Sequence, residues 1–106
     1  FISDSTFLNC KSLEKISIGE SVTQIGAFAF TNCISLVEIS APGVTELKYN
    51  AFKGCTKLNQ VSIPSVTLIG YCAFENCYKL RKLVIPKTLI ITDFLKLGKK
   101  IKVERV

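Results

Sequence analysis

The 106 residues predict an α/β solenoid, mostly parallel β with short 3₁₀ or α turns. Two observations carry that prediction. A unit of 22 or 23 residues recurs along the chain, and its apolar residues keep fixed slots. Phe7, Phe30, Phe52 and Phe74 lie 23, 22 and 22 residues apart, and Cys10, Cys33, Cys55 and Cys77 keep the same intervals. A fixed period of roughly 20 to 50 residues marks units that cannot bury their own apolar faces and do so by stacking.

The fullest copy is residues 66–86, VTLIGYCAFENCYKLRKLVIP. Each copy opens on V-T-x-I, as in Val22, Thr23 and Ile25, with Val and Ile inward and Thr outward. Ile2, Ile25, Leu47 and Ile69 share the last of these slots. The turn x-A-F-x-x-C follows. Its Phe-to-Cys spacing of three suits one helical turn, so short 3₁₀ or α segments are expected near 27–32, 49–54 and 71–76. The segment L-x-x-I-x-I is the second extended piece. Ile16 and Ile18 alternate with Lys15 and Ser17, the two-residue period of a strand with one buried face. Gly19, Pro42, Pro64 and Pro86 close the copies, because proline cannot donate to a ladder. The one extra residue falls between Cys10 and Val22, and the turn at Gly19 and Glu20 is the place that absorbs it. Stacked in register, the four phenylalanines form an aromatic spine.

The motif I-G-x-x-A-F-x-x-C-x-x-L-x-x-I-x-I-P, clearest at Ile69, Gly70, Ala73, Phe74, Cys77, Leu80, Leu83, Ile85 and Pro86, resembles the BspA-like class of leucine-rich repeats. The resemblance covers roughly residues 1–92 and departs from the pattern at Lys48, at Ala41 and after Ile91. It implies a right-handed leucine-rich repeat solenoid over 1–92, with 93–106 a shortened repeat and cap. It also places the four cysteines in a small, buried slot that hydrogen-bonds the turn backbone. In that tail, Ile101, Lys102 and Val103 alternate like Leu83, Val84 and Ile85, 18 residues on. Phe94 is placed to cover the end of the spine, and Lys99, Lys100, Lys102, Glu104 and Arg105 suit a polar cap.

Charge is uneven. Residues 1–53 hold four Lys and five Asp or Glu (−1), and residues 54–106 hold ten Lys or Arg and three Asp or Glu (+7), which sum to +6. A basic half attracts an anionic partner or simply solvates the surface. No apolar run reaches the roughly 18 residues of a membrane-spanning helix, and the first residues lack the pattern of a signal peptide. The chain opens in mid-repeat, as a piece of a longer one would. Uncovered Phe7, Leu13, Ile16 and Ile18, beside an open strand edge, are expected to favour a homodimer through residues near 1–20.

The chemistry is sparse. With no histidine, a Ser–His or Cys–His nucleophile is excluded, and no cysteine pair has the C-x-x-C spacing of a zinc site. No glycine-rich loop precedes a helix to hold phosphate. The pattern implies no cofactor, no metal and no catalytic residue. Cys72 stands in a varied column with Ser5, Phe28 and Asn50 and reads as surface-directed. What remains is the outward face of the L-x-x-I-x-I strands. Glu14, Val37, Asn59 and Arg81 form one column there, and Lys15, Glu38, Gln60 and Lys82 the next, with Lys102 in the last strand. Inward columns are uniform and these vary, as in repeat proteins that bind other macromolecules; a merely solvated face with Lys15 and Glu38 neutralising each other is the alternative.

The expected function is therefore a non-catalytic protein-binding module. The resemblance implies a cell-surface protein of the adhesion type, binding host or matrix proteins. The alternative is an intracellular scaffold or regulatory subunit, for example of a protein phosphatase, which cysteines in every repeat would suit. Nucleic acid is disfavoured because the sheet face carries no aromatic ladder for stacking bases.

Overall fold

The structure is a computed structural model that describes residues 1–90, 97 and 100–106. Its strands are β1 (Lys15–Ser17), β2 (Gln24–Ile25), β3 (Glu38–Ser40), β4 (Glu46–Leu47), β5 (Gln60–Ser62), β6 (Leu68–Ile69), β7 (Lys82–Ile85) and β8 (Lys102–Arg105). Odd-numbered strands and β8 form a five-stranded sheet, β1-β3-β5-β7-β8, and the others a three-stranded sheet, β2-β4-β6. Every pairing is parallel. The chain is thus a solenoid in which the three central coils, β2–β3, β4–β5 and β6–β7, each give one strand to each sheet. Residues 1–9 form the outermost coil: Ile2 bridges Ile25, and the Ser5 and Phe7 amides donate to Ala27 and Ala29 carbonyls at 2.9 and 2.8 Å.

Register follows the sequence period. Ile16, Ile39, Val61 and Leu83 align across the large sheet, and Ile25, Leu47 and Ile69 across the small one. The extra residue lies between β1 and β2, since Ser17 pairs with Ser40 at an offset of 23 and Gln24 with Glu46 at 22. A loop takes it up and no buried column is disturbed. Between the sheets lies a continuous core that includes Leu36, Ile39, Leu58, Val61, Ile63, Leu83 and Ile85.

The turns differ from the expected helical segments. They are successive β-turns, and their amides alternate in direction. Ala51, Lys53 and Cys55 donate to the carbonyls three residues back, at 3.3, 3.3 and 3.2 Å. Asn50, Phe52 and Gly54 donate instead to Tyr71, Ala73 and Glu75 of the next coil, at 3.2, 2.8 and 2.8 Å. A helix would direct every amide back into its own turn and leave neighbouring coils unbonded. The alternation needs left-handed backbone at two positions per coil. One column is Ser5, Phe28, Asn50 and Cys72, with φ between 59° and 61°; the other is Asn9, Asn32, Gly54 and Asn76, with φ between 61° and 77°. Asn and Gly tolerate this region best.

The last strand also departs from expectation. Val103, not Ile101, lies beside Leu83, and Arg105 lies beside Ile85. The slip is two residues, so the faces are kept. This register lets the Arg105 guanidinium reach the carbonyls of Lys87 and Leu89 at 3.3 and 2.7 Å, and lets the Val106 amide donate to Ile85 at 2.9 Å. The expectations for Phe94 and Lys99 fall outside the described residues.

Close coil contact explains Gly70. A Cβ there would fall on the Tyr49 amide nitrogen and the Lys48 carbonyl carbon, backbone atoms that cannot move aside. Gly70→Ala is expected to lower stability by about 1–3 kcal/mol, the usual cost of overpacking. Urea denaturation measures it, and an unchanged midpoint would contradict so tight an approach.

Candidate functional site

Two ladders set the frame that holds the outer face. In the first, Phe7, Phe30, Phe52 and Phe74 stack at centroid distances of 5.0, 5.0 and 5.7 Å with interplanar angles of 12°, 5° and 4°. In the second, Cys33, Cys55 and Cys77 each donate from Sγ to the carbonyl of a phenylalanine one coil back, Phe7, Phe30 and Phe52, at 3.1 Å. Cys10 is the first member of this column. Cys10, Cys33, Cys55 and Cys77 are thiols outside any disulfide. Burial pushes the Cys33 and Cys55 thiols up, and pushes Cys77 up to about 12, because an ionised sulfur would lie among apolar side chains. These thiols serve as structural donors to the turn backbone.

The large sheet, thus supported, turns its polar side outward. Strand alternation puts Ile39, Val61 and Leu83 inside and leaves Glu38, Gln60 and Lys82 outside. The pairing aligns Lys15, Glu38, Gln60, Lys82 and Lys102 in one row across five strands. Adjacent members are about 4.8 Å apart at the backbone. Ser17, Ser40, Ser62, Val84 and Glu104 form the row beside it. A shallow depression of about 330 Å³ runs between these rows, lined by Glu38, Ser40, Gln60, Ser62, Lys82 and Glu104 among others.

Glu14, Asn59 and Arg81 border the face at the strand starts. Their backbones continue the ladder: the Val37 amide donates to Glu14, Asn59 to Val37, Arg81 to Asn59 and Lys102 to Arg81, at 2.8, 2.8, 2.9 and 2.7 Å. All eight residues singled out from the sequence therefore lie on one face or its border. The neutralisation between Lys15 and Glu38, which belonged to the alternative reading of this face, is not made among the described residues. They are register neighbours, but the ion pair on this face, among the described residues, joins Lys82 Nζ to Glu104 Oε2 at 3.8 Å, with both side chains about half exposed. Such an exposed pair contributes about 0–1 kcal/mol.

The Arg81 side chain is tied down. Its Nη1 donates to the Tyr78 and Leu80 carbonyls at 3.0 and 3.1 Å, while the Asn59 amide group donates to Lys79 O at 3.2 Å. Sequence reasoning missed Glu104 as a member of the face, and missed a second aromatic row beside the small sheet. There Phe28 meets Tyr49 edge-on at 5.5 Å, and Tyr49 stacks on Tyr71 at 6.0 Å. The signal was the interval of 22 between the two tyrosines.

The face offers donors, acceptors and charge. Among the described residues no group of three or more His, Cys, Asp or Glu side chains is placed to hold a metal. No helix among them is long and apolar enough to cross a membrane.

A parallel solenoid with this outer face is the architecture of leucine-rich repeat proteins. The model of the BspA type leucine rich repeat region matches residues 1–95 in six copies, and the chain belongs to that family. It is similar to a leucine-rich repeat protein from Bacteroides ovatus ATCC 8483, with 33% identity and a TM-score of 0.85 over 98% of this chain and 27% of that one. It is also similar to a leucine rich cell surface protein from Faecalibacterium prausnitzii A2-165, with 27% identity and a TM-score of 0.79 over 98% of this chain and 30% of that one. A leucine rich repeat protein of T. pallidum matches 78% of this chain and 50% of that one, at 28% identity and a TM-score of 0.64. The chain spans under a third of the length of the first two. No curated protein matches it.

Proposed function

We propose that the chain is a non-catalytic protein-binding module whose partner docks on the outer face of the five-stranded sheet. The observation that carries this reading is the contrast between columns. Inward positions repeat one chemistry, while the exposed row runs Lys15, Glu38, Gln60, Lys82, Lys102 on the same rigid frame. A regular scaffold with a variable exposed face supports macromolecular recognition. The similarity to a bacterial cell surface protein supports a place at the cell surface, and host or matrix proteins are the partners this reading assigns.

Arg81→Glu combined with Lys82→Glu tests the reading. Both side chains are outside the core, so the double variant is expected to keep its far-UV circular dichroism and melt within a few degrees of the parent. Its affinity for a bound matrix protein, found by screening an immobilised panel, is expected to fall at least about tenfold. Leu68→Glu, on the opposite sheet, serves as control. Binding lost with Leu68→Glu and kept in the double variant would move the site to the other face.

A further inference from the structure

The charges on this face are sorted along the solenoid axis. Glu14 and Glu38 lie at its β1–β3 end and outnumber the one cation there, Lys15. Arg81, Lys82 and Lys102 lie at its β7–β8 end, with the carboxylate of Glu104 beside Lys82 and that of Glu75 lining the same depression as Arg81. Lys82 and Lys102 are direct register partners, and like charges directly opposite on neighbouring strands are destabilising. Glu104 reaches only one of them, at 3.8 Å. The arrangement is therefore short of negative charge.

Arg81 adds direction to that deficit. Its Nη1 is held by two carbonyls of its own turn, at 3.0 and 3.1 Å, which fixes the guanidinium plane. Nε and Nη2 make no bond to the described residues, and these two nitrogens form the side-on fork that matches a carboxylate. A tethered fork loses little side-chain freedom on binding. We propose that the β7–β8 end of the face receives a carboxylate-rich segment of the partner protein, with Arg81 as its bidentate anchor and Lys82 and Lys102 as flanking cations. This rests on the reading of the face as protein-binding and specifies the partner's chemistry. A uniform polyanion lying along the face would meet Glu14 and Glu38 toward one end and Glu104, in the adjacent row, at the other. A polypeptide can place acidic residues at one end and neutral or basic ones at the other, and so complements the whole row.

The probe is a short peptide alternating glutamate and glycine, titrated into the isotope-labelled chain and followed by amide chemical shifts. Shifts are expected at Asn59, Arg81, Lys82 and Lys102, and none with the glutamine counterpart. Arg81→Lys keeps the charge but removes the fork, and is expected to weaken binding about tenfold. Lys11→Gln, at the far end of the solenoid, is expected to change nothing. Shifts elsewhere, no shifts, or an Arg81→Lys variant that binds like the parent would overturn the proposal. So would a heparin-derived oligosaccharide that binds the same residues more tightly than the peptide. If the peptide fails while Arg81→Glu with Lys82→Glu still abolishes matrix-protein binding, the acidic-segment proposal falls and the face remains the binding surface.

Discussion

Phe52→Ala is expected to destabilise the chain by about 3–5 kcal/mol, the range for truncating a buried phenylalanine. The ring is fully buried and stacked on both sides, 5.0 Å from Phe30 and 5.7 Å from Phe74. No apolar neighbour can collapse into the gap without leaving its own ladder, so the cavity persists. Against a typical total of about 5–15 kcal/mol this is a large fraction. At about 4–8 °C per kcal/mol the melting transition should fall by at least about 12 °C. Calorimetry measures it. Tyr71→Ala provides the contrast, since that ring stacks on one neighbour and is largely exposed. Equal losses from the two would show that the spine does not carry the fold.

The second large effect is pH-dependent. Burial raises the thiols of Cys33, Cys55 and Cys77 above the 9.0 of an unperturbed group, with Cys77 at about 12. Below pH 9 both folded and unfolded states hold these protons, and the thiols leave stability independent of pH. Above it the unfolded chain ionises and the folded chain does not. The unfolded state then binds fewer protons, and stability falls as pH rises toward 12. The slope is about 1.4 kcal/mol per pH unit for each thiol involved. Urea midpoints measured from pH 8 to 11 should be level at first and then drop. Replacing Cys33, Cys55 and Cys77 with serine, which keeps a donor for the phenylalanine carbonyls, should flatten the drop. In the unmodified chain the same thiols should resist a thiol reagent until urea is added. An unaltered slope in the triple variant would assign the loss to other groups.

The fold was legible in the sequence because its stabilising contacts are like with like. Stacking sets Phe30 on Phe52 and Ile39 beside Val61, so the period alone places each residue of the core. The turn backbone was harder to read. Asn9, Asn32, Gly54 and Asn76 signal left-handed positions by residue type, but Ser5, Phe28, Asn50 and Cys72 share the same conformation without a shared chemistry. In that column the ladder between coils overrides intrinsic preference. The binding face was half legible. Alternation placed Lys82 and Gln60 outside, yet the partner of Lys82 depended on the register of β8, which a shortened repeat hides. Arg81 gave no sign of its tether, because bonds from a side chain to nearby carbonyls leave no period behind.

The alternating turn amides make each coil directional. Phe30 gives its amide to Ala51, and Phe52 gives its own to Ala73, so the turn of each coil presents donors on one side and matching acceptors on the other. A unit with one complementary end of each kind is a monomer in the polymer chemist's sense. Inserting or deleting a whole unit leaves every backbone junction chemically unchanged. The length of the outer face can thus change only in steps of one strand spacing, about 4.8 Å. Each step also adds or removes one residue in each exposed row. A lineage of such chains could tune the reach of its recognition surface by counting units, with no core position redesigned.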